Sequence, residues 1–377
     1  MLQRAAVILG RWRQTLRSRL ALAGRRRPSR RRPAKAAPKA IALALQGGGS
    51  HGAFTWGVLD RLLEDERLAI TAVSGASAGA MNAAVLASGF LAEGSEGARQ
   101  ALSSFWEGVS DAGRLSSLAS PLFAWIPGSL GPQGLGRSVS PYTFNPLDLN
   151  PLRSLLERHV DFARLRRNRR IRLVVSATNV HTGSPRHFRT REISSEVLLA
   201  SACLPHLYKA VEIDGAYYWD GGFTANPAIL PLIERSDAGD ILVVHIDTEG
   251  HPALPTTGSE ISGRLNRILM NAPLLREIQT INDFRTLADR RSVLGKRLRR
   301  VALHHILPPE DMLRFEATSK LDTDWRFLTK LRDFGRASAE IWLEANYRRL
   351  GTGSAIDLDS SLMAPSPRLE SLGLEKI

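Results

Sequence analysis

The stretch Ala72-Val73-Ser74-Gly75-Ala76-Ser77-Ala78-Gly79-Ala80-Met81 constrains this chain more than any other. An apolar run breaks at two glycines and resumes as small helix-forming residues, so it reads as strand, sharp turn and helix. A serine at such a corner projects its hydroxyl from the sheet edge. The new helix points unpaired N–H groups and its positive dipole end at whatever that hydroxyl attacks. Gly75 and Gly79 suit an elbow that is strained and crowded, where side chains would meet the neighbouring strand and helix. The five-residue pattern also fits an ordinary Gly/Ser turn, so Ser77 as nucleophile depends on what surrounds it.

Upstream, Ile41-Ala42-Leu43-Ala44-Leu45 is a short uncharged apolar run suited to a buried parallel strand. It ends in Gly47-Gly48-Gly49-Ser50-His51-Gly52, and Ala53 to Leu63 then carries apolar residues at helical spacing. Glycines in such a loop let backbone N–H groups approach an anion closely at a helix start. A phosphate loop would need a Lys-Ser or Lys-Thr pair, which is lacking. Gly47, Gly49 and Gly52 fit dinucleotide spacing, but that reading needs an acid ending the next strand, where Ile70 to Val73 runs straight into the serine elbow. An oxyanion hole is the reading that accounts for both glycine-rich turns. The 22 residues between Gly52 and Gly75 suffice for one helix and one strand, a β-α-β unit that places both turns on one sheet edge.

A third turn follows Ala210 to Ile213, Asp214-Gly215 and Ala216 to Trp219, which pattern as a hairpin whose second arm ends in Asp220-Gly221-Gly222. Turn chemistry alone would explain an acid beside two glycines; its place at a strand end after a nucleophile elbow points to a catalytic carboxylate. Further strands are expected at 171–178, 240–247 and 301–306, and helices at 80–92, 194–202, 259–291 and 323–350. Strands and helices alternate, so the class is α/β with a mainly parallel sheet and helices on both faces.

Net charge is +14, but residues 1 to 40 hold thirteen Arg or Lys and no acid, leaving 51 − 13 = 38 basic against 37 acidic residues elsewhere. Attraction to anionic lipid or nucleic acid therefore resides in the tail. Residues 1–39 read as a basic arm, disordered or interfacial, with a possible amphipathic helix at 2–22 interrupted by Arg13. No cleavable signal and no membrane-spanning segment is evident, which places the chain in the cytoplasm or at a membrane periphery. The single cysteine, Cys203, excludes an internal disulfide and a cysteine-rich zinc site. Residues 111–150, with several prolines and scattered Phe123, Trp125, Ile126, Tyr142 and Phe144, read as a lid or lipid-contact insert or as a loop tucked onto the core. Residues 40–350 form the expected catalytic body and 351–377 a loose tail.

Taken in order, Gly47 to Gly52, Gly75 to Gly79 and Asp220 to Gly222 resemble the three motifs of the patatin-like phospholipase family. Ser201 to Pro205 and Asn226-Pro227 resemble segments flanking its aspartate motif. The resemblance runs over about 40–250. It implies a three-layer α/β/α fold and a Ser-Asp dyad that hydrolyses lipid acyl esters without calcium, another metal or a cofactor. By it Ser77 is the nucleophile and Asp220 the base, with Gly47, Gly48, Gly49 and Gly52 as the oxyanion loop and Gly75, Gly79, Gly221 and Gly222 as supporting glycines. The family usually carries Lys or Arg where this chain has His51, which removes a fixed charge near the site. Two other readings stand beside it. One is a Ser-His-Asp esterase using Asp247 with His304 or His305. The other is a non-catalytic membrane or nucleic-acid adaptor acting through the basic arm.

Overall fold

The computed structural model describes residues 37–119, 140–235, 238–247, 254–287, 296, 298, 300–313, 315 and 317–352. All elements below lie within Pro38–Ile377. Nearly all of the basic arm, residues 120–139 of the expected insert, and 353–377 of the expected tail lie outside the described residues.

Strand β1, Lys39–Leu45, alternates bulky Ile41, Leu43 and Leu45 with Ala42 and Ala44, all fully buried. Side chains in a strand alternate between faces, so this pattern sorts them into two layers. The bulky residues join a large core with helices α1 (Gly52–Glu64), α2 (Ala78–Ala119) and, near the C-terminus, α8 (Trp325–Asn346). The alanines face a thinner core with α6 (Leu230–Arg235) and α7 (Gly258–Leu287), built from Ile229, Leu232, Leu274, Ile278 and Ile281. A sheet covered on both faces gives three layers, α/β/α.

The sheet contains β1, β2 (Leu68–Gly75), β3 (Arg172–Asn179), β4 (Pro185–Arg189), β5 (Val211–Ile213), β6 (Ala216–Asp220), β7 (Asp240–Val244) and β8 (Ala302–Ile306). Its order is β5-β6-β3-β2-β1-β7-β8, with β4 on the far side of β3. The run β3-β2-β1-β7-β8 is parallel throughout, while β4, β5 and β6 are antiparallel additions at one end. The sheet is thus mainly parallel, as the alternating pattern requires. Helices α3 (Pro151–His159), α4 (Phe162–Arg167) and α5 (Ser195–Ser201) fill the chain between α2 and β5.

Two differences from the sequence reading have physical reasons. The uncharged helix expected at 80–92 does break there, at Glu93 and Gly94, where Gly94 adopts φ 69°, but helical structure resumes and runs to Ala119. The expected strand 240–247 ends at Val244: His245 N still donates to Ile306 O (3.0 Å), but Gln46 captures the next two residues, its Oε1 accepting from Ile246 N (2.6 Å) and Asp247 N (3.1 Å). Among the described residues no helix is long and apolar enough to cross a membrane.

Candidate active site

Strand β2 ends at Gly75 and α2 begins at Ala78, leaving Ala76 and Ser77 to turn the chain. Ser77 does so at φ 52°, a left-handed conformation costing a side-chain-bearing residue about 1–2 kcal/mol. The backbone is held there from outside: Ser77 N–H donates to both Ser201 O (3.1 Å) and Ser201 Oγ (3.0 Å). The Ser201 hydroxyl in turn donates to Ser176 O on β3 (2.7 Å). Crowding explains the flanking glycines, since a Cβ on Gly79 would strike the Leu45 carbonyl and one on Gly75 would come within 2.5 Å of Gly79 C.

Asp220 reaches this elbow by register. Both β2 and β4 pair with Val174 and Val175, so they lie on opposite sides of β3; β4 and β6 both pair with Ala177 and Thr178, so β6 lies on the β2 side. Strand β6 therefore runs toward the end of β2 along the same flank of β3. Gly75 faces Val175 and Asp220 faces Ala177, two residues further on. The Asp220 carboxylate accepts a hydrogen bond from Gly222 N–H at 2.7 Å, and the Ser77 hydroxyl lies near enough to favour its charged form. Its backbone is pinned by Asp220 N to Cys203 O (2.8 Å) and by Thr178 Oγ1 to Asp220 O (2.8 Å). Burial pushes the Asp220 carboxyl up to about 6, against the Gly222 N–H and the Ser77 hydroxyl, which favour the charged form.

The glycine loop lies beside both groups. A Cβ on Gly47 would approach Ala76 O to 2.5 Å and Ser77 Cβ to 2.8 Å, so the two turns touch. Gly47 N–H is already engaged by Asn226 Oδ1 (2.7 Å), and Gly52 N–H by Gly49 O and Ser50 O. Among the described residues, the N–H groups of Gly48 and Gly49 have no protein acceptor. Gly49 requires its φ of 61° and sits under the Lys320 carbonyl, so the turn Ala317–Leu321 packs directly over the loop.

His51 is buried, with Nε2 2.8 Å from Ser319 Oγ, and burial chiefly, with Lys320 and Arg267 nearby, lowers its pKa to about 4. It is neutral at physiological pH. The cations that depress it come from other elements, and Lys320 Nζ is tied to Asp247 Oδ2 at 2.6 Å.

The triad residues are placed elsewhere. Asp247 pairs with Lys320, His304 Nε2 lies 2.8 Å from Asp240 Oδ1, and His305 Nδ1 lies 2.8 Å from His245 Nε2. Both histidines belong to β8, separated from β2 by β1 and β7, and neither bonds Ser77. Cys203 is buried and its thiol is pushed up to about 12 by burial, so it is no competing nucleophile.

Sequence reasoning missed Gln46 and Ser201 as braces. Gln46 Nε2 also donates to Asn271 Oδ1 (2.5 Å), and Asn226 Nδ2 to Met270 O (3.2 Å), fastening the glycine loop and the aspartate turn to α7. These partners are far apart in the chain, and nothing in local spacing announces them.

A family model described as patatin-like phospholipase matches residues 43–233, a span that contains all three turns. Among solved structures, VipD from Legionella pneumophila aligns with TM-score 0.41 and 16% identity over 82% of this chain and 67% of that one. The type III effector protein ExoU aligns with TM-score 0.29 and 16% identity, covering 82% of this chain and 60% of ExoU. No curated protein matches.

Proposed function

Because the chain belongs to the patatin-like phospholipase family, we propose that it hydrolyses acyl ester bonds of lipids, as a phospholipase A or esterase, through a Ser77–Asp220 dyad and without calcium. Ser77 Oγ attacks the ester carbonyl carbon as its proton passes to the Asp220 carboxylate. The carbonyl oxygen becomes an oxyanion held by the loop Gly47–Gly52, with the unengaged N–H groups of Gly48 and Gly49 as donors and Gly47 and Gly52 permitting the close approach. Collapse of this intermediate expels the alcohol, which takes the proton from Asp220, and leaves an acyl-serine. Water then attacks that acyl group, Asp220 again accepting the proton; collapse breaks the bond to Ser77 Oγ, which takes that proton back from Asp220, and the fatty acid departs.

The observation that carries this reading is the Ser77 hydroxyl, at a strained elbow, beside a fully buried Asp220 whose charged form it favours. An aspartate in water is a poor base near neutrality, whereas one raised to about 6 is closely matched to the task. Residues 40–350 then form the hydrolase domain, and the basic residues 1–39 contact anionic membrane. Labelling with a fluorophosphonate probe tests the nucleophile. Wild type should label at Ser77, and Ser77→Ala should not; undiminished labelling of the variant would overturn the assignment.

A further inference from the structure

Helix α7 has one face to spare. Its inner side buries Asn271, Leu274, Ile278 and Ile281, and Met270 approaches the aspartate turn, its Sδ 2.9 Å from where a Gly222 Cβ would be. On the opposite side Ile261, Leu265, Ile268 and Leu269 stand 44–59% exposed, at the i, i+4, i+7, i+8 spacing that aligns side chains along one helix face. A polar face would be the ordinary choice for an outward-facing helix.

We propose that this stripe is a lipid-contact surface that seats the dyad against a bilayer or micelle; the proposal rests on the lipid-hydrolase reading and names the surface through which substrate is met. Three observations favour lipid over another occupant. Position is the first: α7 is fastened to the aspartate turn and the oxyanion loop by Asn226–Met270 and Gln46–Asn271, and Phe223, beside Gly222, is exposed as well. Charge is the second. From Ile261 to Ala272 the charged residues are Arg264 and Arg267, with no acid. Arg267 donates to the neutral Phe315 carbonyl (3.0 Å) and shares Asp247 with Lys320, two cations to one carboxylate, and among the described residues Arg264 has no carboxylate partner, so the face keeps a net positive charge that suits phosphate-bearing headgroups. Size is the third: from Ile261 to Ala272 the helix rises ~16 Å and is ~10 Å wide, a face on the order of 160 Å², far short of the roughly 800 Å² per partner of a stable dimer.

The test is flotation of the full chain, carrying Ser77→Ala so that vesicles survive, with phosphatidylcholine vesicles at high salt, where the basic arm contributes little. Leu265→Glu/Leu269→Glu is compared with its parent, and Leu265→Ser/Leu269→Ser serves as the milder version. The parent should float, and either pair should lose about tenfold or more of the bound fraction, the scale expected for withdrawing two leucines from an apolar phase, with unchanged circular dichroism. Failure of the parent to float, or equal flotation of parent and both variants, would overturn the proposal. So would a parent dimer that the variants split without affecting flotation, which assigns the stripe to a second copy. A large drop in melting temperature for both variants would assign it to the chain's own interior and overturn it too. Turnover of a dispersed short-chain ester by wild type, measured separately, distinguishes failure of the hydrolase reading from failure of the stripe.

Discussion

Ser77 and Asp220 are both held in states they would not adopt alone, one by its left-handed backbone and the other by burial of a carboxyl. The second has a measurable thermodynamic sign. The folded carboxyl, raised to about 6 from 3.8, binds its proton more tightly than the unfolded one. Its protonated form therefore stabilises the fold below about pH 4, and that contribution is lost as pH climbs through about 6; at neutral pH the buried charge is a net cost. Asp220→Asn keeps the acceptor for Gly222 N–H and removes that charge. Near pH 7.5 it should raise unfolding free energy by about 1–3 kcal/mol in denaturant titration, and a destabilised variant would refute the strained-base account. The same carboxyl sets the acidic limb of kcat/KM, which should rise with pH through about 6 if Asp220 is the base. A limb near 4 would place the base in an ordinary, solvated carboxylate.

At the scale of elements, the site depends on where α1 starts and how β6 meets β3. Helix α1 is locked against α8 through glycines: a Cβ on Gly57 would run into the Arg332 carbonyl, and one on Gly335 into the Phe54 carbonyl. Neither obstacle is a flexible side-chain tip, so Gly57→Val must part the helices. Thermal denaturation should show a loss of about 2–4 kcal/mol, the scale of overpacking a close contact. Unchanged stability would mean that the interface has slack. Most of the elements were legible in the sequence. Ile41 to Leu45 is fully buried, as an uncharged run implies, and the Asp214-Gly215 turn takes the positive φ values, 51° and 77°, that its residue types favour. What was not legible is the registry that carries Asp220 to Ser77. That depends on β6 occupying the flank of β3 beyond the end of β2, a long-range pairing with no local signature. Gln46 and the bracing role of Ser201 escaped for the same reason: a glutamine after a strand or a serine at a helix end is unremarkable until its distant partner is known. Helices α3 and α4, short and rich in arginine, went unread because their apolar anchors, Leu155, Leu156 and Leu165, are few.

For the whole molecule, the charge asymmetry makes the proposed membrane attraction separable from the proposed catalysis. Thirteen basic residues lie within 1–40, while the rest of the chain is nearly neutral. Removing residues 1–36 should leave turnover of a soluble short-chain ester unchanged and weaken binding to anionic vesicles, each lost cation counting for about 1 kcal/mol near such a surface. Raised salt should mimic the truncation. Equal binding by both forms would place membrane affinity wholly in the body. Cutting further is a different experiment: Lys39 Nζ donates to Tyr347 O (3.0 Å) and Leu350 O (2.6 Å), tying the first strand to the end of the described chain, so its removal should cost stability.

In the proposed dyad Asp220 alone accepts the proton of Ser77. Turnover of a soluble short-chain ester by Asp220→Asn, beside His304→Ala and His305→Ala, tests it most directly, with circular dichroism to verify folding. The dyad predicts that Asp220→Asn loses about a thousandfold or more in kcat while both histidine variants keep most of their activity. An active Asp220→Asn beside a dead His304→Ala or His305→Ala would contradict it.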